Sequence, residues 1–157
     1  MTSDRIPWQQ DTIIHHSQRL LHSYHHWTGH HLFDRNCERA ELAELLFTAP
    51  FVLVSHGTEP DPIFNYGNRK ALQLWEISWE EFTQMPSRKS APEIVKQERA
   101  SLLSEAATEG FSSNYSGIRI SSTGKQFYIE DTSLWNVLDE QNQRRGQAAM
   151  FSKWTYI

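Results

Sequence analysis

The sequence predicts an α+β domain in which a five-stranded antiparallel sheet carries helices on one face and is entered through a two-helix extension. Three observations predict it. Before position 50 apolar residues recur at helical spacing, and between 51 and 66 two short apolar runs flank a turn-rich stretch. From 115 onward the chain reads as successive strands. At 157 residues the chain suits one core and is short for two. We therefore read 1–157 as a single domain, with 1–48 as the helical extension and 49–157 as the sheet-bearing core.

Taken in order, Asp11 or Thr12 caps a first helix that runs to about Trp27. Ile13, Leu20, Tyr24 and Trp27 lie along one side of it, and Gly29 stops it. A second helix over 38–48 is closed by Pro50. The run FVLVSH at 51–56 is a short, β-branched strand. GTEPDP at 57–62 is turn chemistry, and IFNY at 63–66 is the return strand of a hairpin. Short helices follow at 68–76 and 79–85, with Asn68 and Ser78 placed to cap them. A loop covers 86–93. A longer helix covers 94–109, with Ile94, Val95, Leu102, Leu103, Ala106 and Ala107 as its apolar positions and Gly110 as its stop. Strands are predicted at 115–121, 125–138 and 147–157, joined by the turn STGK and the polar stretch DEQNQRRG.

Composition narrows the function classes. Fifteen basic and nineteen acidic side chains give a net charge of −4, and no basic run of five or more occurs, so nothing points to a nucleic-acid partner. The apolar share of 38% and aromatic share of 12% fit a folded, soluble chain rather than a disordered one. Cys37 is the single cysteine and cannot form an internal disulfide, and the opening MTSDRIPWQQDT lacks the apolar core of a signal peptide. A cytoplasmic location is the expectation. The longest apolar-rich run, at 45–54, is too short to span a bilayer and contains Pro50, so no membrane partner is expected.

The element order α-α-β-β-α-α-α-β-β-β, with VSHGTEPDPIFNYGN at 54–68, ALQLWE at 71–76, EFTQMPSRKSA at 81–91, YSGIRISSTGKQF at 115–127 and FSKWTYI at 151–157, resembles a PAS-like sensory domain. More closely it resembles the MEKHLA domain, a PAS-related module found alone in bacteria and at the C-terminus of plant class III homeodomain–leucine zipper proteins. The corresponding residues are Phe64, Tyr66, Asn68, Leu72, Trp75, Glu76, Gly117, Ser121, Ser122, Gly124 and Trp154. The resemblance implies a PAS-like fold and a sensory or interaction role, binding a small ligand, a protein partner or both, with no catalytic output of its own. Transcriptional roles of the plant relatives do not carry over, because no homeodomain or zipper accompanies the motifs. A signal would pass to a separate output protein. The first helix would pack on the sheet or on a second subunit, which makes a homodimer an expectation.

No cofactor is specified by the residues. Cys37 precedes every strand, whereas the reactive cysteine of flavin-adduct PAS domains follows the first two, so a covalent photocycle is not expected. No histidine falls on the helix at 94–109, and the phosphate-loop and dinucleotide glycine patterns are absent. His22 and His26 have metal-binding spacing, but nothing nearby completes a ligand set, and a solvated face explains them.

Seven residues stand out as candidate ligand contacts: Ser55, His56, Tyr66, Trp75, Arg88, Asp131 and Ser133. His56 with Asp61 could polarise Ser55, the logic of a nucleophilic hydrolase, or act with Arg88 on a carboxylate-bearing substrate; that is the enzyme alternative. No nucleophile elbow accompanies it, and hairpin-turn chemistry explains the same residues. Tyr66 points into a pocket or fills the core. Trp75, Trp79 and Phe82 share a helical face that either stacks on a flat ligand or packs inward. Arg88 in PSRKS clamps an anion or is solvated, and Arg119 is either a second anion anchor or a surface ladder partner. On the strand 125–138, Asp131 and Ser133 form a polar spot among Phe127, Ile129, Trp135 and Val137 unless a bulge turns Asp131 to solvent.

Overall fold

The structure, a computed structural model, describes residues 7–33 and 36–157. Helix α1 (Asp11–Thr28) starts from Gln10, so Asp11 sits in the first turn, where its charge favours the helix N-terminus, rather than at the cap. It ends where the glycine predicts: Gly29 takes φ +77° and donates its N–H to the His25 carbonyl. Helix α2 (Arg39–Phe47) leads into the hairpin of β1 (Val52–His56) and β2 (Phe64–Gly67). Helices α3 (Arg69–Trp75) and α4 (Trp79–Phe82) are each opened by the expected cap: Asn68 Oδ1 accepts from the Ala71 N–H and Ser78 Oγ from the Glu81 N–H. Two 3-10 turns, Ser87–Ser90 and Glu93–Val95, occupy the expected loop and the start of the expected long helix. That helix, α5, covers only Lys96–Glu109, and Ile94 is 91% exposed rather than an apolar anchor. Strands β3 (Phe111–Ile120), β4 (Gln126–Leu138), β5 (Arg144–Phe151) and β6 (Lys153–Tyr156) complete the chain.

All the strand pairs are antiparallel, and the order is β2-β1-β5-β4-β3, with β6 also on β4. Strands β5 and β6 run against β4 in one register, Ser133 opposite Met150 and Glu130 opposite Lys153. They are the single expected last strand, interrupted at Ser152. The sheet is therefore five-stranded with its last strand in two pieces.

Helices cover both faces. One layer packs Val52, Val54, Phe64, Trp75, Phe82, Ala106, Tyr115, Phe127, Ile129, Leu134 and Phe151, the side of α3 to α5. The other packs Leu20, Leu46, Phe47, Leu53, Tyr66, Trp135, Val137 and Ala148, the side of α1 and α2. Alternation along β1 separates the two sets, Val52 and Val54 going one way and Leu53 the other. Bulges reverse the alternation elsewhere. In β2 the pairing shifts at Asn65, so Phe64 and Tyr66 enter opposite layers. In β4 the shift falls at Asp131, φ +51°, after which Leu134 faces α5 and Trp135 and Val137 face α1.

Family-motif residues tie the layers together. Asn68, fully buried, accepts from the N–H groups of Leu53 and Ala71 and donates to the carbonyls of Leu46 and Phe51. Glu76, held at φ 55°, accepts from the hydroxyls of Ser121 and Thr123, while Ser122 donates its hydroxyl to the Glu76 carbonyl and its N–H to Trp75 O. These hydroxyls, the largest influence, hold the Glu76 carboxyl below its ordinary pKa. The LWE and SSTG stretches are thus one structural clasp between the end of α3 and the β3–β4 turn.

Candidate functional site

Between α5 and the sheet lies an internal chamber of about 30 Å3, walled by Val54, Phe64, Trp75, Leu103, Ile129, Leu134, Ala149 and Phe151. Its polar lining comes from His56, Ser90, Arg99, Tyr115, Arg119 and Gln147. His56, Arg99, Leu103 and Gln147 also line a larger surface groove of about 420 Å3, rimmed by Ser87, Arg88, Lys96 and Arg144, so the groove is the chamber's outer vestibule.

Each polar group is placed by a local rule. His56 ends β1 with its side chain on the α5 side, and its Nδ1 donates to the Gly57 carbonyl at 3.0 Å. Burial first, then the Arg99 and Arg144 charges, lower its pKa against the raising effect of that bond, so it is neutral at pH 7. Gln147, opposite His56 on β5, donates to Leu103 O of α5 at 3.0 Å. The Trp75 indole donates to Ser90 O at 3.3 Å, fixing the ring across the chamber wall. Arg119 alternates inward on β3, 6% exposed, donating to the Tyr115 hydroxyl at 2.6 Å and to its neighbour Ile118 O at 2.8 Å. Arg99 reaches in from α5, and its Nε is buried with no hydrogen-bond partner among the described residues. Burial, and then the Arg119 charge, push the Arg99 guanidinium down to about 10, which leaves it charged at neutral pH.

The structure divides the sequence-predicted residues. His56 and Trp75 line the chamber. Arg88 rims the outer groove and pairs with Asp61 at 3.1 Å, so Asp61 is engaged away from His56. Ser55 and His56, as neighbours on a strand, project to opposite faces, and the Ser55–His56–Asp61 arrangement of the enzyme alternative does not form. Ser55 instead donates to Asn65 Oδ1 at 2.5 Å and therefore accepts from His16 Nε2 at 2.9 Å. Burial holds the His16 imidazole down at about 4. Tyr66 packs in the α1-side layer against Trp79, at 5.8 Å between ring centroids. Burial pushes its hydroxyl pKa up, so it stays protonated.

Two expectations about β4 are corrected. The bulge turns Asp131 to solvent, where it pairs with Lys153 at 2.9 Å. Ser133, opposite Met150 beyond the bulge, lies on the face away from the chamber. The expected shared face of Trp75, Trp79 and Phe82 is also corrected, because Glu76 breaks the helix and sends Trp79 to the α1 side. Arg119 proves buried rather than a surface ladder residue.

Arg99 escaped sequence reading. It falls four residues after Val95 and three and four before Leu102 and Leu103, on the apolar stripe of its helix, and a charge in that register was the available signal. Cys37 lies between α1 and α2 and is not among the residues lining the chamber. Among the described residues no group of three or more His, Cys, Asp or Glu side chains is placed to hold a metal ion.

A five-stranded antiparallel sheet with three helices over one face and a chamber between them is the PAS architecture, and solved structures agree. The PAS domain of a protein from Colwellia psychrerythraea superposes with TM-score 0.62 at 15% identity, covering 74% of this chain and 94% of that one. An RNA-binding light-oxygen-voltage receptor gives TM-score 0.63 at 16% identity over 76% of this chain and 34% of its own. Residues 14–156 match the MEKHLA domain, and the chain belongs to that family. A curated relative, the homeobox-leucine zipper protein ATHB-14 of Arabidopsis thaliana, is 22% identical over 100 residues, which span 64% of this chain and 12% of that protein. Among the described residues no helix is long and apolar enough to cross a membrane.

Proposed function

We propose that this domain is a sensory module that takes up a small ligand in the chamber beneath α5 and hands its bound state to a protein partner. One observation carries the reading: an apolar chamber and its vestibule share a wall of polar side chains directed at the same space. The chamber's 30 Å3 sets the size, since drug-sized ligands occupy pockets of roughly 300–1,000 Å3. A flavin-sized ring does not fit it as it stands. With this reading go a homodimer, a separate output protein and a cytoplasmic location. An interaction module with a filled core is the second reading, favoured by the same small volume. The enzyme alternative loses support from the divergence of Ser55, His56 and Asp61.

Purification of the untagged protein, an absorption spectrum and mass spectrometry of released small molecules test the proposal. A compound retained through native purification and released on unfolding is expected. An empty protein that no small-molecule probe stabilises would establish the interaction module instead.

A further inference from the structure

Among the described residues, two cations and no acid line the chamber. In a chain of net charge −4, Arg99 from α5 and Arg119 from β3 line one space, and among the described residues no aspartate or glutamate lines it or the groove outside. The ion pairs among the described residues involve neither arginine. Arg119 donates to neutral oxygens, the Tyr115 hydroxyl and the Ile118 carbonyl, and Arg99 Nε donates to nothing. Outside, Lys96 and Arg144 extend the same sign of charge along the groove. Buried charge is tolerated when it is paired, and packing alone would be served better by Leu or Met at both positions. Like charges brought together beside an opening are what an anion site requires before its ligand arrives.

We propose that the chamber is the head-group site of a small organic carboxylate, clamped between Arg99 and Arg119 with its body in the groove toward Lys96 and Arg144. This deepens the ligand-binding reading and rests on it. A guanidinium offers parallel N–H donors that match the two oxygens of a carboxylate. The chamber is narrow and walled by Trp75, Leu103 and Phe151, which suits a planar monoanion. A tetrahedral dianion would be costlier to strip of water. The neutral imidazole of His56 and the Gln147 amide stand where chamber and groove meet, and neither adds charge there.

The test titrates the full chain with propionate and succinate, using propionamide as the uncharged isostere and inorganic phosphate as the competing oxyanion, read by calorimetry and by the thermal midpoint. Both carboxylates are expected to bind and raise the midpoint, while propionamide does neither. Arg99→Gln and Arg119→Gln should each weaken binding by about tenfold or more. Lys153→Gln, which removes an equal charge from the exposed pair with Asp131, should leave binding unchanged. Without carboxylate, Arg99→Gln should unfold at or above the wild-type temperature, because its Nε has no bond to lose and the change relieves the repulsion from Arg119, whereas a structural arginine would lower it. If Arg119→Gln does not fold, Arg119→Lys keeps the charge, loses the fork and is expected to weaken binding in the same titration. Carboxylates that bind wild type and variants alike, phosphate binding without carboxylate binding, or no anion binding at all would each overturn the proposal. In that last case a neutral compound found on the purified protein leaves the ligand-binding reading standing, and an empty protein removes both.

Discussion

Replacing Asn68 by alanine should unlock the junction between the two layers. The Asn68 side-chain amide makes four hydrogen bonds: it accepts from Leu53 N at 3.1 Å and Ala71 N at 3.2 Å, and donates to Leu46 O at 3.2 Å and Phe51 O at 2.9 Å. Those partners belong to the end of α2, the start of β1 and the first turn of α3. At about 1 kcal/mol net for each bond, the loss is ~4 kcal/mol, and an orphaned buried partner adds to it rather than subtracts. For a domain of this size that corresponds to a fall in the thermal midpoint of roughly 8–16 °C. It is a large part of the 5–15 kcal/mol typical of a whole domain. Asn68→Asp is a sharper comparison. It keeps both acceptor roles and the cap yet sets a carboxylate against the Leu46 and Phe51 carbonyls, so it should destabilise at least as much at pH 7. Urea unfolding followed by tryptophan fluorescence and far-ultraviolet circular dichroism measures both variants. A loss below about 1 kcal/mol for Asn68→Ala would refute the view that this amide joins the layers. So would a stability for Asn68→Asp equal to wild type.

Further outcomes follow from other contacts. His16 is held neutral by burial, with a folded-state pKa of about 4 against 6.5 when unfolded, so the folded protein binds fewer protons between those values. Its contribution is present above pH 6.5 and is lost as pH falls toward 4, about 2–3 kcal/mol by pH 4.5. Urea midpoints at pH 7 and 4.5 should therefore fall less in His16→Gln than in wild type, and parallel acid slopes would contradict the assignment. Gly146→Ala puts a Cβ 2.2 Å from the His56 backbone oxygen, forcing β5 from β1, at a cost of ~3 kcal/mol. Gly29→Ala meets nothing within 4 Å and should lose only the roughly 1–2 kcal/mol of a left-handed backbone. Equal thermal shifts for these two would sink the packing argument. Glu76→Ala opens the clasp on the β3–β4 turn, and hydrogen exchange at the Ser122 amide, now bonded to Trp75 O, should quicken while β1 and β5 stay protected.

Several features were legible locally because the physics is local. Gly29 and Gly110 stop helices, Asn68 and Ser78 cap them, and the turn residues at 57–62 and 122–125 bound the strands. Each depends on a few adjacent dihedrals and on a donor or acceptor within four residues. The family motifs were equally readable, since Glu76 and the SSTG turn stand in the sequence whatever they later touch.

By itself, then, the sequence determined the element order, the fold class and the family. Only the tertiary structure decided which face each strand residue meets. One extra residue at Asn65 and another near Asp131 reverse the side-chain alternation, and a period of two has no memory of which side it began on. Those shifts carried Tyr66 and Ser133 away from the chamber and turned Asp131 to solvent. Only the fold, too, brought Arg99 of α5 to Arg119 of β3, two arginines twenty positions apart in the chain, because their meeting depends on how α5 lies across the sheet rather than on either residue's neighbours.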